Sequence, residues 1–392
     1  MTAISGLISD PLSVLMIALA LFIIYLGIKK RYEPLLLVPI GFGVLLANFP
    51  GANMAVVSAS DINNIEHLTL LEIAKEYGII NMLYYALIKT GLLPPLIFLG
   101  VGAMTDFGPM LRNLRLAFFG AAAQIGIFTV LISAIFFGFT LPEAGALGII
   151  GGADGPTAIY TSIILAPHLL GPIAIAAYSY MALVPVIIPL VVRYTVSDDE
   201  LKINMKMQEK EHPSNLVIRD LRATKIIFPI MLCIIAALLV PSSLPLIGLL
   251  MFGNLVKEVG SDTGRLQEAA SGTIMNTATV FLGLTIGATM TASSFLNVET
   301  LLIVVGGFLA FAISILGGIV AVKVVNIFTK KKINPLIGAT GLSAVPMASR
   351  VANEIALKKD PNNHILQYAM SSNISGVIGS AVAAGVLITF LS

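Results

Sequence analysis

The chain alternates between long apolar runs and shorter polar intervals. Apolar runs lie near residues 12–28, 35–47, 78–104, 116–139, 144–166 and 171–192, and then near 226–240, 244–256, 271–291, 300–325, 335–349 and 371–391. A run of about 20 apolar residues is long enough to cross a membrane as a helix. The pattern therefore predicts an all-α polytopic membrane protein with about ten to twelve apolar segments.

One hydrophilic stretch separates the apolar runs into two halves. It extends from Arg193 to Lys225 and carries seven basic and six acidic residues. The sequence predicts a first membrane unit at 1–193, a linker at 194–225 and a second membrane unit at 226–392. Lys and Arg accumulate on the cytoplasmic side of membranes, so the linker is predicted to lie in the cytoplasm.

A short polar interruption breaks the apolar run between Ala144 and Val192. It reads GGADGP at residues 151–156 and contains Asp154. Gly and Pro disfavour a continuous helix, and a carboxylate at membrane depth costs about 2.5 to 3.5 kcal/mol unless a ligand, proton or partner compensates it. Broken backbone at this depth indicates a cavity, so Asp154 is a candidate ion site. The alternative is a helix kink with a protonated, hydrogen-bonded Asp.

The second half contains a corresponding interruption. The motif FLG at residues 98–100 recurs at 281–283, and the same offset carries Asp154 onto Ile337, inside NPLIGATGLS at 334–343. Matching breaks in two halves are typical of transporters built from repeats. Two unrelated kinks are the alternative. If each break is re-entrant, each half has an odd number of crossings and the two repeats are inverted in the membrane.

The amino-acid composition limits the kinds of partner and metal ion that the protein is expected to bind. Only 11% of the residues are charged, against about 25% in soluble domains, and the net charge is +2. No nucleic-acid partner is expected, and the surface is expected to contact lipid. The single cysteine and the four scattered histidines provide neither a disulfide framework nor a zinc motif. Carbonyl and hydroxyl oxygens at the breaks suit a hard monovalent cation such as Na⁺.

Polar residues near the two breaks are the candidates to complete the site: Tyr180, Asn334, Gly338, Ser343, Arg350 and Asn373. The guanidinium fork of Arg350 suits a carboxylate ligand. Each has a simpler interpretation: Tyr180 as an interface tyrosine, Asn373 as a helix cap and Arg350 as a snorkelling cation.

Four stretches carry a family resemblance. They read GGADGPTAIYTS (151–162), AYSYMALVP (177–185), NPLIGATGLSAVPMASRVANE (334–354) and SSNISGVIGSAVAAGV (371–386). They resemble the membrane β subunit of biotin-dependent sodium-translocating decarboxylases, a family that includes oxaloacetate, methylmalonyl-CoA and glutaconyl-CoA enzymes. The resemblance extends over nearly the whole chain. The chain has no obvious longer cytoplasmic insert, so the particular family member stays open.

The resemblance implies a complex in the inner (plasma) membrane of a prokaryote. The implied partners are a carboxyltransferase α subunit, a biotin carrier subunit and a small membrane-anchored subunit, with this chain as a homo-oligomer in the complex. Carboxybiotin is then carried on a partner chain, with no biotin attached to this one. Asp154 matches the family's aspartate for Na⁺ and protons, and Tyr180 matches its functional tyrosine.

On this interpretation the chain is an enzyme subunit that decarboxylates carboxybiotin, consumes a proton and drives Na⁺ export. The residues predicted to be catalytic are Asp154, Tyr180 and Arg350. Carboxybiotin is predicted to contact Arg350 and Ser343. The predicted Na⁺ ligands are Asp154, Asn334, Gly338, Ser343 and Asn373. A Na⁺-coupled secondary transporter or Na⁺/H⁺ exchanger for carboxylates would use the same broken helices and is the alternative.

Overall fold

The computed structural model describes residues 10–31, 34–57, 65, 68–212, 220–344 and 346–392, so residues 213–219 of the predicted linker lie outside the described part. The described residues form helices and turns, without strands. The helices are α1 (Pro11–Lys29), α2 (Pro34–Ala47), α3 (Leu70–Tyr77), α4 (Ile79–Leu83), α5 (Leu93–Met104), α6 (Gly108–Arg112), α7 (Leu114–Ala123), α8 (Ile125–Phe136), α9 (Leu141–Gly148), α10 (Gly155–Leu165), α11 (Leu170–Thr195), α12 (Asp198–Leu201), α13 (Met205–Glu211), α14 (Leu221–Leu239), α15 (Leu244–Val259), α16 (Gly264–Glu268), α17 (Met275–Thr289), α18 (Ala292–Phe295), α19 (Val298–Phe328), α20 (Leu336–Ala339), α21 (Met347–Lys359) and α22 (Leu366–Leu391).

The all-α class predicted from the sequence is confirmed for the described residues. By length and composition, fewer of their helices could span a membrane than the sequence has apolar segments. Seven described helices are long and apolar enough to cross a membrane, or up to nine if two bent helix pairs each count as one span. The pairs are Ile79–Ile88 with Leu93–Met104, bent by 66°, and Pro167–Tyr180 with Leu183–Thr195, bent by 64°. Pro34–Ala47 and Gly155–Leu165 are apolar but shorter. The predicted ten to twelve segments therefore include helices that do not span on their own.

Polar side chains begin the helices where the apolar runs start. The carboxylate of Asp10 accepts from the backbone N–H groups of Leu12 and Ser13 at the start of α1. Asn297 accepts from the N–H of Thr300 at the start of α19. Such caps satisfy N–H groups that have no partner within the helix, which matters most near lipid.

Helices of the two predicted membrane units pack closely against each other. α2 packs on α17 and α5 packs on α15. In both contacts a glycine meets backbone: a Cβ at Gly43 would overlap the carbonyl oxygen of Leu284, and a Cβ at Gly102 would overlap that of Leu250. Small residues let membrane helices approach closely, so helices of the two units pack directly against each other.

The first break forms a hairpin, here called the first hairpin (141–168), whose arms are α9 and α10. A 3-10 turn, Ile149–Gly152, follows α9 directly. Ala153 then has a left-handed backbone (φ 55°), and the chain reverses into α10. The Nε2 atom of His168 lies 2.8 Å from the Oε1 atom of Glu143. Because this contact joins the two ends of the segment, the hairpin enters and leaves on one side of the bundle.

The second break forms another hairpin, here called the second hairpin (334–359), whose arms are α20 and α21. Its two ends both contact the linker. The side-chain amide of Asn334 donates to the carbonyl oxygens of Leu201 and Ile203, both at 3.0 Å. At the other end, Lys359 Nζ lies 2.6 Å from an Asp198 carboxylate oxygen. The linker therefore closes the base of this hairpin.

The linker is also tied to α19. Lys323 Nζ lies 2.9 Å from the Oε2 atom of Glu200, which also accepts from the N–H of Ser197. Partial burial alone would raise the pKa of Glu200, but these two donors hold it below its ordinary value of 4.5. The C-terminal part of α19 thus marks the linker side of the molecule.

The two hairpins enter from opposite ends of α19. A Cβ at Gly307 would lie 2.9 Å from Ile150 of the first hairpin, and Ser314 Oγ donates to the carbonyl of Gly151 at 2.6 Å. Further along, Gly318 packs against the backbone of Gly338, and Asn326 bonds Ile333 beside the base of the second hairpin. The tips of the hairpins therefore meet near the middle of α19.

Candidate functional site

Asp154 lies at the tip of the first hairpin and begins α10. Its Oδ1 atom accepts from the backbone N–H of Thr157 at 3.1 Å, as an N-cap residue does. The left-handed Ala153 and the flanking glycines turn the chain so that this carboxylate points into the bundle. Only 4% of Asp154 is exposed. The break thus places a carboxylate at the buried end of a helix.

The second hairpin reaches this carboxylate through Ser343. The hydroxyl of Ser343 donates to Asp154 Oδ2 at 2.6 Å, and its backbone N–H donates to the carbonyl of Gly152 at 3.2 Å. Two residues predicted for the site, from opposite halves of the chain, are therefore in direct contact. The tips of the hairpins are held together by one side-chain and one backbone hydrogen bond.

Ser380 of α22 is the third member of this cluster, and the sequence analysis missed it. Its hydroxyl donates to Asp154 Oδ2 at 2.7 Å. Ser380 follows Asn373 by seven residues, about two helical turns, so both lie on one face of α22. That polar spacing on an apolar helix is the signal that would have found it.

The environment of Asp154 suits a monovalent cation. Among the described residues, Asp154 forms no ion pair, and no group of three or more His, Cys, Asp and Glu side chains is placed to hold a metal. The carboxylate is surrounded by hydroxyl and backbone groups. A single carboxylate with neutral oxygens balances one positive charge, whereas divalent ions usually recruit several acidic ligands.

Three other candidates hold the second hairpin and do not touch Asp154 in this structure. Asn334 uses its side chain at the base of the hairpin, bonding the linker and the N–H of Leu336. Gly338 packs against Gly318, where a Cβ on either residue would overlap the other's carbonyl oxygen. Asn373 accepts from Ser349 Oγ at 3.1 Å and donates to the carbonyl of Leu342. Through Leu342, Asn373 fixes the residue beside Ser343.

Tyr180 is buried, and its hydroxyl is directed away from Asp154. It donates to the backbone carbonyl of Val304 on α19. Two positions earlier, Tyr178 is also buried, and its ring lies against Gly155, where a Cβ would overlap it. Of the two tyrosines, the one beside the Asp154 turn is Tyr178.

Arg350 lies in the first turn of α21 and is exposed. Its guanidinium makes no hydrogen bond or ion pair with the part of the chain that the structure describes, while the preceding Ser349 faces inward and bonds Asn373. The structure therefore places Arg350 on an exposed face of α21, about 100° around the helix axis from the buried Ser349. Its donors are free to bind an anion from outside the chain.

These features define a class: a multi-pass membrane protein in which two hairpins from opposite ends of the bundle meet at a buried, unpaired carboxylate, as in cation-transporting proteins. Comparison with known proteins gives the family. The family described as Na⁺-transporting oxaloacetate decarboxylase beta subunit matches residues 12–391, and the chain belongs to it.

Several relatives match over nearly their whole length. The chain is 48% identical to the methylmalonyl-CoA decarboxylase subunit beta of Propionigenium modestum, with 96% of this chain and 94% of the relative covered. It is 43% identical to the oxaloacetate decarboxylase beta chain of Haemophilus ducreyi (97% and 95% covered) and 42% identical to that of Klebsiella pneumoniae (96% and 94% covered). The chain is thus a membrane subunit of a multi-subunit, Na⁺-transporting decarboxylase. Membership in this family sets aside the alternative of a secondary transporter.

Proposed function

We propose that Asp154 is the group at which Na⁺ and H⁺ exchange while this subunit decarboxylates carboxybiotin delivered by a partner chain. The observation that carries the proposal is the buried carboxylate without an ion pair among the described residues, enclosed by hydroxyls where the two hairpins meet. A carboxylate removed from water needs a compensating positive charge. Na⁺ and H⁺ each supply one, so the two compete for the same group.

Ser343 and Ser380 are the first ligands of the ion besides Asp154. Both hydroxyls donate to Oδ2 in this structure. A hydroxyl can rotate, donating to the carboxylate when the ion is absent and offering a lone pair when it is bound. Asn373 and Asn334 act on the site indirectly, by holding the second hairpin at its tip and at its base. Gly338 acts through its packing on α19.

The chemical step consumes one proton. In carboxybiotin, the bond between a ureido nitrogen and the carboxyl carbon breaks, CO₂ leaves, and the electron pair remains on nitrogen, which takes up H⁺. Protonating a leaving nitrogen is general acid catalysis. The proton comes from Asp154 when Na⁺ replaces it there. Loss of CO₂ then drives the exchange in one direction.

Arg350 binds the carboxylate of carboxybiotin. Its exposed guanidinium, free of partners within the described residues, can form two parallel hydrogen bonds to a carboxylate. Arg350 is on α21, and the neighbouring Ser349 bonds Asn373. Asn373 in turn bonds the carbonyl of Leu342, the residue before Ser343. Occupancy at Arg350 is thereby coupled to the position of Ser343. Na⁺ transport requires that carboxybiotin and its decarboxylated product favour different accessibilities of the ion site.

Two inverted repeats account for the packing. Let α1, α2, α5, α7 and α11 correspond to α14, α15, α17, α19 and α22. The contact of α2 with α17 then maps onto that of α15 with α5, and the contact of α11 with α19 onto that of α22 with α7. The contact of α1 with α2 likewise maps onto that of α14 with α15. Hairpins entering from opposite ends are what a two-fold axis in the membrane plane produces.

The complex supplies the remaining parts. The names of the relatives, beta subunit and beta chain, are those of components of larger enzymes. A biotin carrier delivers carboxybiotin to the face that holds Arg350, a carboxyltransferase α subunit loads the biotin, and a small membrane-anchored subunit and further copies of this chain complete the assembly.

The test uses the complete complex reconstituted in vesicles. In the Asp154→Asn variant, carboxybiotin decarboxylation and Na⁺ uptake should both fall to background, because the amide can neither bind H⁺ nor balance Na⁺. Asp262→Asn, which changes an exposed acid in the turn before α16, should leave both unchanged. Avidin, which sequesters biotin, should stop Na⁺ uptake by the wild type. Near-normal turnover or Na⁺ uptake in Asp154→Asn contradicts the proposal.

A further inference from the structure

We infer that the hydroxyls of Thr157 and Tyr178 are two further ligands of the ion bound at Asp154, on the Oδ1 side of the carboxylate. This inference rests on the proposed ion site and extends it from the meeting point of the hairpins into the first half of the chain. It gives the ion a shell of one carboxylate and four neutral hydroxyls, with Ser343 and Ser380 on the Oδ2 side.

The two oxygens of Asp154 have unequal surroundings. Oδ2 accepts from two hydroxyls, those of Ser343 and Ser380. Oδ1 accepts from the backbone N–H of Thr157, and the Thr157 side chain lies beside the same carboxylate. A carboxylate oxygen can accept more than one contact, so Oδ1 keeps capacity for a cation.

Thr157 lies next to Oδ1 because its own backbone N–H makes the contact. The side chain of Thr157 is fully buried, and its Oγ1 atom has no hydrogen-bond partner among the described residues. A threonine inside a helix ordinarily donates to the carbonyl four residues before it. For Thr157 that residue is Ala153, which is left-handed and outside the helix. The N-terminal position thus frees this hydroxyl to bind a ligand.

Thr161, one turn later on the same helix, shows the ordinary behaviour. It is equally buried, and its hydroxyl donates to the carbonyl of Thr157 at 2.8 Å. The difference between these two threonines is therefore one of position within α10, not of residue type or burial. Thr161 supplies a matched control for any effect of removing a buried hydroxyl from this helix.

Tyr178 approaches the same turn from α11. Its ring covers Gly155, the residue after Asp154, so closely that any larger residue there would overlap the ring. The hydroxyl of Tyr178 is buried and, like that of Thr157, has no partner among the described residues. Buried hydroxyls are normally hydrogen-bonded, and each exception needs an explanation. Two unpartnered hydroxyls beside one unpaired carboxylate are explained together by an ion that binds all three.

The chemistry distinguishes Na⁺ from H⁺. A bound Na⁺ gains from each oxygen ligand, whereas a proton on Asp154 needs only the carboxylate itself. Removing a neutral hydroxyl should therefore weaken Na⁺ binding while the acid still accepts a proton. The expected signature is a higher half-saturating Na⁺ concentration at an unchanged maximal rate. A defect in positioning or folding would instead lower the maximal rate.

The test measures the half-saturating Na⁺ concentration of the purified complex and, separately, protection of the complex from thermal unfolding by Na⁺ with K⁺ as the reference salt. Thr157→Val, close in shape to threonine, and Tyr178→Phe should each raise half-saturating Na⁺ about two- to twelve-fold, as expected for one neutral polar contact. Both should shift the Na⁺ dependence of protection by the same factor. Thr157→Ser, which restores a hydroxyl, should lie close to wild type.

Thr161→Val is the control and should leave the Na⁺ dependence unchanged. Equal shifts in Thr157→Val and Thr161→Val, or no shift in Thr157→Val and Tyr178→Phe, overturn the inference. If Thr157→Val does not fold, Tyr178→Phe tests the same shell from another helix. Asp154→Asn distinguishes a failure of this inference from a failure of the proposed ion site. If Asp154→Asn abolishes Na⁺ protection while Thr157→Val and Tyr178→Phe behave as wild type, this inference fails and the ion site stands. If Asp154→Asn retains Na⁺ protection, the proposed function itself fails.

Discussion

Substitution of Ser380 by alanine tests whether α22 takes part in the ion site. Ser380 is fully buried and donates to Asp154 Oδ2 at 2.7 Å, so the variant removes one of two hydroxyls from that oxygen. On the proposed function this hydroxyl is a neutral ligand when Na⁺ is bound, and a neutral polar contact is worth about 0.5 to 1.5 kcal/mol. Losing it should therefore raise half-saturating Na⁺ about two- to twelve-fold, since about 1.4 kcal/mol corresponds to a factor of ten.

Ser371 provides the matched control on the same helix. It is equally buried, but its hydroxyl donates to the carbonyl of Gln367 at 3.1 Å and not to the site. We expect Ser371→Ala to keep the Na⁺ dependence of the wild type. The assay is decarboxylation by the complex as a function of Na⁺ concentration, with Na⁺ uptake into vesicles as a second readout. If Ser380→Ala and Ser371→Ala have the same Na⁺ dependence, Ser380 is only a packing residue and the reasoning from its contact is wrong.

Two further predictions address the entry of carboxybiotin and the meeting of the hairpins. Arg350→Lys should strongly lower kcat/KM for carboxybiotin decarboxylation, because lysine keeps the charge but not the two-pronged geometry; full activity would make Arg350 a surface residue without a ligand. Gly318→Ala should destabilise the chain by about 1 to 3 kcal/mol in thermal unfolding, because its Cβ would overlap the carbonyl of Gly338. Gly306→Ala on the same helix, with no atom near the new Cβ, should be neutral or slightly stabilising.

The contact between the two breaks could be predicted from the sequence, because intramembrane charge and broken helices leave few explanations. Asp154 and Ser343 each lie in such a break, and each reaches the other. Asn334 lies in the same motif as Ser343, but it is at the base of the hairpin, several residues from the tip. The motif therefore marked a packed hairpin, and only its tip, at Ser343, contacts Asp154. Only the folded hairpin shows that Asn334 lies at its base and Ser343 at its tip, because both residues belong to one short motif.

The remaining differences come from the direction of side chains on helices. Tyr178 and Tyr180 are two residues apart, which turns their side chains by about 200° around the helix axis. Periodicity does not say which of them faces α10, because the residues around both tyrosines are largely apolar and buried. Ser380 is similar: a serine in an apolar helix usually bonds its own backbone, and only the third dimension shows that it also reaches Asp154. The alignment of Gly318 with Gly338 likewise required the path of α19.

The meeting of the hairpins near the middle of α19 has an electrical consequence. Moving one elementary charge through the whole membrane potential takes about 2.3 kcal/mol per 100 mV. An ion that pauses midway crosses roughly half of that voltage before it binds and half after it leaves, about 1.2 kcal/mol for each step at 100 mV. Neither step alone therefore requires the full electrical energy of moving the ion across the membrane. If Na⁺ binds at Asp154 as proposed, a carboxylate near the middle of α19 divides the electrical work of moving that Na⁺ between its entry and its release.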